Sequence, residues 1–597
     1  MDAKLDPTAE APVSLKTWIA VSGALLGAFL AVLNIQITNA SLPYIEGGIS
    51  TGGVYGTWVS TAYLIGEIIV IPLTDFLSGV VSLRRYLLVN TALFLFFSVL
   101  CGHAHSLSEM IVFRALQGFT GGVLIPLAFT IVMTMLPRSK QAIGLAGFSV
   151  SATFAPAIGP TIGGYLTDYY GWPWVFYVNL APGLVMLAAL WFTLPKSAAR
   201  LGLLRQGDWL GIALMAVGLA AFQTVLDDGN VYNWFDSPFI VKLSLVAALA
   251  LGAFVLWRFI ATSPLVNFRL LGRRNFGLGT LGNFLLGFAL YGSAFLLPQY
   301  LAVAQGFDAE QIGEVMAWTG LPQLLVIPLV PLLMKRIDAR LLVGTGLVVF
   351  AASCFMNLWL DQDYAAPQLF WPDVIRAVGQ AIVMTPISAI ALVGIAQSEA
   401  GAASGLFNMM RNLGGAIGTA AVETFFTKRE QFHSAIITPQ VSLVDPATRD
   451  RLADLQRYFM AHGYPDPAGA MHRAIIAVGQ TIRAQATIMG YADAFALIGI
   501  VLLVAVLAIT MLRKGAAPGG RRIKLGVQQL QGGRHEPEDR NRARRSHWYP
   551  RARSRSRAQL LSAAEVRSVA PGRRRRRRDH PQQKRRGIQP GLQRQCR

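Results

Sequence analysis

Residues 143–166 read IGLAGFSVSATFAPAIGPTIGGYL, a stretch without a charged side chain. About 20 mostly apolar residues in a helix are enough to cross the hydrocarbon core of a bilayer. Gly159 and Gly163 are four residues apart and share one helix face, so a neighbouring backbone can approach closely there. Pro156 and Pro160 are expected to bend the same helix. The stretch therefore predicts a bent membrane helix in close contact with a neighbour.

The composition of the whole chain is also that of a membrane protein. Of 597 residues, 53% are hydrophobic and 14% are charged, and the mean hydropathy is +0.45. A soluble domain of this length would be far more polar. The sequence predicts an all-α polytopic membrane protein embedded in a lipid bilayer, with fourteen transmembrane spans. These are 18–38, 54–77, 86–102, 110–136, 143–166, 174–194, 209–226, 240–260, 276–298, 312–334, 341–360, 374–393, 402–426 and 494–512.

Loop charges predict the topology, because Lys and Arg in short loops stay in the cytoplasm. Six connections contain no Lys or Arg, and the connections that alternate with them are basic. We therefore expect a multi-pass protein of the cell inner membrane with both termini, including residues 1–17, in the cytoplasm. The loops without Lys or Arg are 43–53, 103–109, 167–173, 227–239, 299–311 and 361–373; the others carry Arg84, Arg85, Arg138, Lys140, Lys196, Arg200, Arg205, Arg269, Arg273, Arg274, Lys335, Arg336 and Arg340.

Two halves of six spans each, 18–194 and 276–512, are related by an internal repeat if 209–260 is treated as an insertion of two helices. The sequence RALQG, which begins at Arg114, opens the fourth span, and RAVGQ, which begins at Arg376, opens the twelfth. Parallel repeats of this kind build many secondary transporters, which bind their substrate between the halves.

Several short motifs follow one another in order along the spans. On these motifs the chain resembles the fourteen-span drug:proton antiporter family of the major facilitator superfamily. The resemblance implies the major facilitator fold and export of small amphipathic compounds, drugs among them, in exchange for protons. It also makes Pro156, Gly159, Pro160, Gly163 and Gly164 the antiporter motif. The motifs are Arg114, Gln117 and Gly118 with Gly121 and Gly122; 155–164; 172–179; 208–211; 297–300; and 403–408 with 411–415.

Ionisable groups within spans are the best functional candidates, because each is costly in hydrocarbon. Glu67 lies thirteen residues into the second span, roughly 20 Å along a helix. Desolvation there disfavours the charged carboxylate, which suits proton uptake and release near neutral pH. A structural acid paired with a buried donor is the alternative. The resemblance makes Arg114 a second proton-coupling residue, although Arg114 is close enough to its helix end to reach the interface instead.

Polar residues of other spans are predicted to line a substrate cavity between the halves. Arg411, about nine residues into its span, is expected to need a counter-ion or a cavity, with Asn408 and Asn412 as local partners. Arg376 is expected to be an interfacial anchor. The predicted cavity residues are Asn34, Gln36, Gln117, Asn283, Gln299, Asn408 and Arg411.

The chain departs from the family pattern at two positions. Asn34 occupies a position where the family usually has Asp, so the proton-coupling acid must lie elsewhere and recognition of cations is weakened. Gly79 occupies the place of the acid in the conformational loop, whose other predicted members are Asp75, Arg84 and Arg85. The usual contact between that acid and a helix of the other half is therefore in doubt.

Two further segments have open interpretations. The external loop 427–493 has helical patterns at 447–460 and 470–489, and either contacts a periplasmic adaptor subunit or covers the bundle. The tail, 513–597, is predicted to be disordered, because 515–597 hold 24 of the 53 Lys and Arg residues and 5 of the 32 Asp and Glu residues. It is a polybasic lipid-binding tail, a nucleic-acid-binding tail or a product of a shifted reading frame, and its abrupt onset favours the third.

Other functional classes have less support. Cys101, Cys354 and Cys596 lack metal-ligand spacing, and no nucleophile-and-base group or phosphate-binding glycine loop is present. We expect no enzyme activity, no cofactor and, because the basic excess is confined to the tail, no nucleic-acid partner for the membrane part. The alternatives are export of an endogenous metabolite or siderophore and, in another class, a transport-inactive membrane-tethered protein that binds through its tail.

Overall fold

The computed structural model describes residues 13–51, 53–260, 267–396 and 399–512. The basic tail and its three interpretations lie outside these residues. The described chain is helical and contains no strand. The helices are α1 Leu15–Ala40, α2 Trp58–Val81, α3 Leu83–Gly102, α4 Leu107–Met135, α5 Arg138–Tyr170, α6 Trp174–Thr193, α7 Trp209–Asp228, α8 Pro238–Ile260, α9 Arg274–Ala304, α10 Ala309–Leu333, α11 Ala339–Trp359, α12 Ala366–Ala391, α13 Ala400–Ile437, α14 Pro446–Ala461 and α15 Pro467–Thr510.

Thirteen of these fifteen helices, all except α13 and α14, are long and apolar enough to cross a membrane, and shorter helices such as Leu42–Gly48 lie in the connections. The other predicted span, 402–426, lies within α13. Arg411, Asn412 and many small residues lower the hydropathy of α13, yet α13 packs against α2, α4, α9 and α15. Within the predicted span, Ser404, Asn408 and Arg411 are therefore buried against other helices.

The region predicted as the external loop 427–493 is mostly helical, and two of its helices continue from the adjacent spans. Helix α13 continues past 426 to Ile437, and α15 begins at Pro467 rather than near 494. Asp466 caps α15 by accepting hydrogen bonds from the backbone N–H groups of Ala468 and Gly469, and Pro467 fits the first turn. The surface helix predicted at 447–460 is α14, whereas the one predicted at 470–489 is the first part of α15.

The packing repeats between the two halves. Helix α4 packs on α2 and α3, and α12 packs in the same way on α10 and α11. Helix α1 likewise packs on α5 and α6, and α9 on α13 and α15. The inserted helices α7 and α8 pack on each other, and α7 also contacts α2 of the first half and α13 of the second.

Helix α5 has an irregular segment at the predicted bend. A π-helical turn, Val150–Phe154, separates Arg138–Ser149 from Ala155–Tyr170. Pro156 lies two residues after the turn and cannot donate the backbone hydrogen bond of a regular helix, so the π-helical turn and the proline are both known causes of a bend here. Pro160, in contrast, lies inside a continuous helix.

The ends of the bundle differ in charge. At one end of the bundle the helix ends and connections carry basic residues, and we call it the basic end; the opposite end is the non-basic end. The basic residues are Arg84, Arg138, Arg200, Arg273 and Lys335.

Candidate functional site

A cavity of about 620 Å³ lies between the two halves and the inserted helix α7. Its wall is formed by residues of α1, α2, α5, α7, α9, α10 and α13. Leu64, Tyr291 and Phe295 give it apolar and aromatic surface. Tyr44 and Phe307, in connections at the non-basic end, also line it, so the cavity extends toward that end. A space of this size and lining suits a small amphipathic molecule.

Glu67 lies on the wall of this cavity and is only 2% exposed. Helix α2 begins at Trp58 rather than near Val54, so Glu67 is roughly 14 Å along the helix, closer to the middle of a bilayer than the sequence suggested. Its Oε1 accepts a hydrogen bond of 2.8 Å from Nδ2 of Asn412 on α13. The carboxyl group of one half therefore contacts an amide of the other half.

Arg114 is completely buried on α4 and does not reach the interface. Its Nε donates to the Val59 carbonyl oxygen at 2.9 Å, and Nη1 donates to Asn34 Oδ1 at 2.6 Å and Gln117 Oε1 at 2.7 Å. The guanidinium also lies 4.3 Å from the ring centroid of Tyr63. The interfacial alternative for Arg114 is thus wrong, because neighbouring helices supply acceptors within the bundle.

Close contact of α2 and α4 makes this arrangement possible. A Cβ atom at Gly118 would overlap the backbone of Tyr63, and one at Gly66 would overlap the backbone of Ala115. A Cβ at Gly122 would lie 2.9 Å from the Cα of Glu67. The glycines of the Arg114 motif therefore bring α4 close to Glu67, and Arg114 lies near enough to act on Glu67 electrostatically.

Arg411 is the second buried cation beside Glu67. It is 1% exposed, lies 5.8 Å from the ring centroid of Phe148 and interacts electrostatically with Glu67. Its guanidinium nitrogens have no hydrogen-bond partner among the described residues. The predicted partners bond elsewhere: Asn408 Nδ2 donates to the Ser404 carbonyl oxygen, and Asn412 donates to Glu67. Glu67 is thus the acid with which Arg411 interacts electrostatically, without a direct ion pair between the two among the described residues.

Arg376 is not an interfacial anchor, because α12 begins at Ala366 and so places it deeper than predicted. It is 6% exposed and interacts electrostatically with Asp373, which is 1% exposed. Neither residue lines the cavity.

The predicted cavity residues fall into two groups. Gln36 and Gln299 lie on the wall. Asn34 and Gln117 instead belong to the Arg114 network, and Gln117 also donates to Ser98 Oγ at 2.7 Å. Arg411 lies beside the wall, while Asn283 and Asn408 satisfy carbonyl groups of α13, from Phe407 and Ser404. These five do not line the cavity: four of them form hydrogen bonds between or within helices, and Arg411 is buried without a hydrogen-bond partner among the described residues.

The glycines of the antiporter motif form two close contacts. A Cβ at Gly159 would lie 2.5 Å from Cβ of Gln36, and one at Gly163 would lie 2.9 Å from the Ile37 carbonyl oxygen, both on α1. A Cβ at Gly164 would lie 2.5 Å from the Ala309 carbonyl oxygen on α10. Helix α5 therefore packs tightly against one helix of each half, with Pro160 on the cavity wall.

The predicted conformational loop contacts the other half through a different acid. A Cβ atom at Gly79 would meet no atom of the described residues within 4 Å, whereas Asp75 lies against Gly401 in the first turn of α13. A carboxylate is favourable at a helix N-terminus. Arg84 donates to the Trp191 carbonyl oxygen at 2.6 Å, and Arg85 is exposed. The contact between an acid and a helix of the other half is thus present, supplied by Asp75.

Sequence reasoning missed Asn412 as the partner of Glu67 and three acids near the non-basic end. Asp227 and Glu423 line the cavity, and Asp228 is adjacent and 1% exposed. Each acid lies near the end of a predicted span, where acids are usually hydrated. The only signal was their concentration at one end of the bundle.

Known proteins resemble this chain over most of its length. The family model of the Major Facilitator Superfamily matches residues 24–419. The chain is 32% identical to the multidrug export protein EmrB of Escherichia coli over 72% of this chain and 84% of that protein. It is 30% identical to the fatty acid resistance protein FarB of Neisseria gonorrhoeae, over 83% of this chain and 96% of that protein. For the colistin resistance protein EmrB of Acinetobacter baumannii the identity is 29%, with the same two coverages.

These matches agree with the repeated six-helix packing and with the cavity between the halves. The chain is a multi-pass membrane protein that belongs to the major facilitator superfamily.

Proposed function

We propose that this protein exports small amphipathic compounds across the cell inner membrane in exchange for protons, with both termini in the cytoplasm. The observation that carries the proposal is the position of Glu67: buried, on the cavity wall, and bonded to Asn412 of the other half. A carboxyl group at this place can either bind a proton or, as a carboxylate, interact with groups of the opposite half. Its protonation is therefore coupled to the arrangement of the two halves.

Two contacts between the halves support alternating access. At the basic end Asp75 lies against the first turn of α13, and toward the other end Gly164 packs against Ala309. Thr161 Oγ1 also donates to the Gly313 carbonyl oxygen at 2.6 Å. Glycines at Gly164, Gly313 and Gly320 allow α5 and α10 to approach closely along this seam, which can close one side of the cavity.

The similar proteins support export of harmful compounds but differ in the compounds that their names mention: multiple drugs, fatty acids and colistin. Family membership therefore supports an exporter and leaves the chemistry of the substrate to the cavity of this chain. Protons as the coupling ion are supported by the buried carboxyl group of Glu67 on the cavity wall, which can bind and release a proton.

We propose further that an adaptor subunit binds at the non-basic end. Helices α13 and α15 extend there beyond the predicted spans, and α14 packs on α15. Leu443 and Val444 beside α14 are 66% and 85% exposed. The proposal predicts that Val444→Asp prevents co-purification with the adaptor and leaves substrate binding unchanged; retained co-purification would contradict it.

Export in reconstituted vesicles tests the main proposal. Purified protein is reconstituted at equal amounts and orientation, and export of ethidium is followed after a step in pH. Glu67→Gln should reduce the rate to that of protein-free vesicles, because an amide cannot exchange a proton. Glu314→Gln, the same change at an exposed site on α10, should retain the wild-type rate. Full pH-driven export by Glu67→Gln would overturn the role of Glu67.

A further inference from the structure

The cavity wall is acidic. Four carboxylate residues line it, namely Glu67, Asp227, Asp308 and Glu423. No Lys, Arg or His is among the described residues on the wall. The sequence alone suggested weakened recognition of cations, because Asn34 replaces the usual acid, but the folded chain supplies acids from other helices.

Asp227 and Glu423 form the part of this wall that lacks positive neighbours. Asp227 Oδ1 accepts from Gln223 Nε2 at 2.9 Å, and Glu423 Oε1 accepts from Asn230 Nδ2 at 3.2 Å. Asp227 also interacts electrostatically with Glu423 and with Asp228. In the described part of the chain no Lys, Arg or His forms an ion pair with these acids.

The described residues around these acids leave some carboxyl oxygens without a hydrogen bond and provide no cation, so a ligand could supply both. Acids within a membrane bundle are normally paired with a cation or a comparable partner. Three buried carboxylate oxygens, Oδ2 of Asp227, Oδ2 of Asp228 and Oε2 of Glu67, accept no hydrogen bond from the described residues. Glu67 is 2% exposed and lies on the same wall. The cavity therefore has carboxyl groups with free acceptor oxygens in one place.

Aromatic surface completes the pattern. Tyr44, Tyr291, Phe295 and Phe307 line the same cavity. Aromatic faces attract organic cations, and carboxylates attract the positive charge at longer range. Both an anion and a cation would meet the apolar surface, but the acids would repel an amphipathic anion, whereas they and the ring faces would attract an amphipathic cation.

We propose that the cavity selects amphipathic organic cations and that Asp227 and Glu423 form its anionic subsite. The inserted helix α7 thereby gains a direct role, because it packs between α2 and α13 and carries Asp227 into the wall. The proposal rests on the proposed function for its biological meaning, but ligand charge is tested by binding alone.

Binding of two ions of equal shape tests the selection. The full chain in neutral detergent is titrated with tetraphenylphosphonium, a cation, and with tetraphenylborate, the corresponding anion. Wild type should bind the cation at least about tenfold more tightly, and Asp227→Asn and Glu423→Gln should each weaken cation binding about tenfold. Asp236→Asn, an equal loss of charge at an exposed residue between the inserted helices, should change it by less than about twofold.

Binding of the neutral triphenylphosphine oxide shows that the variants are folded, because a retained cavity should bind it in every variant. Any one of three results would overturn the proposal. Wild type could bind tetraphenylborate as tightly as the cation or more tightly, wild type could fail to bind tetraphenylphosphonium, or both acid variants could bind the cation as tightly as wild type. These outcomes leave the coupling test intact, since pH-driven export that depends on Glu67 does not require Asp227. Conversely, cation-selective binding without pH-driven export would refute the proposed function and support the cation site.

Discussion

The two acidic regions of the cavity differ in what surrounds them. Glu67 interacts electrostatically with Arg114 and Arg411 and accepts a hydrogen bond from Asn412. Asp227 and Glu423 contact amides and other acids, with no basic partner among the described residues. A balanced acid can lose its proton and keep a stabilising environment, which suits coupling. An unbalanced acid gains most from a positively charged ligand, which suits recognition.

The largest effect is expected in a transport assay that distinguishes proton coupling by Glu67 from ligand recognition by Asp227. Glu67→Gln should lower the maximal rate of pH-driven ethidium export to background, because it removes the exchangeable proton. Asp227→Asn should raise KM about tenfold while the maximal rate remains close to wild type, because it removes ligand attraction only. Initial rates over a series of ethidium concentrations measure both. The same change of KM and maximal rate in the two variants would erase the distinction.

Substitutions in the two regions should change the thermal stability of the protein in different directions. Arg114→Ala leaves the Asn34 and Gln117 oxygens without their buried donor and should cost about 1–3 kcal/mol for each oxygen. Asp227→Asn removes a poorly compensated charge and should leave the melting temperature unchanged or raise it. Unfolding followed by tryptophan fluorescence in detergent measures both. Arg138→Ala, at an exposed site, is the control, and a lower melting temperature for Asp227→Asn than for Arg114→Ala would contradict the contrast.

A smaller effect is expected from the two amides that hold the acids. Asn412→Ala removes the hydrogen bond to Glu67, and Asn230→Ala removes the one to Glu423. A hydrogen bond to a charged group contributes about 1.5–3 kcal/mol. Asn412→Ala should therefore slow pH-driven export about tenfold or more, whereas Asn230→Ala should act mainly on KM for ethidium. If Asn230→Ala lowered the maximal rate and Asn412→Ala did not, Glu423 rather than Glu67 would be the acid coupled to transport.

Ionic strength should have the smallest effect. Raising salt from about 0.1 M to 1 M shortens the screening length from about 10 Å to 3 Å. Because the cavity reaches the non-basic end, tetraphenylphosphonium binding should weaken a few-fold, and binding of triphenylphosphine oxide should not weaken. Salt titrations of wild type measure this, and equal salt effects on both ligands would argue against charge recognition.

The sequence was sufficient for features that depend on one helix at a time. Long apolar stretches located the spans, and an acid inside an apolar stretch identified Glu67. The close contact of Gly159 and Gly163 with α1 also followed from their spacing. Family resemblance added the fold, which the match of residues 24–419 bears out.

Features that depend on contacts between distant helices were not predictable in this way. Arg114 is buried because α1 and α2 supply acceptors for its guanidinium group. The distance of Arg114 from its helix end does not reveal these acceptors and therefore suggested an interfacial position. Asn412 is 345 positions from Glu67 in sequence. Asp227 resembles an ordinary acid at a span end until α7 packs against the two halves.

The most direct test of the account is whether Glu67 itself gains and loses a proton near neutral pH. Infrared difference spectra of purified protein between neutral and acidic solution report the C=O stretch of protonated carboxyl groups. The account predicts a band in wild type and in Glu314→Gln that is missing in Glu67→Gln. An identical set of carboxyl bands in wild type and Glu67→Gln would contradict it.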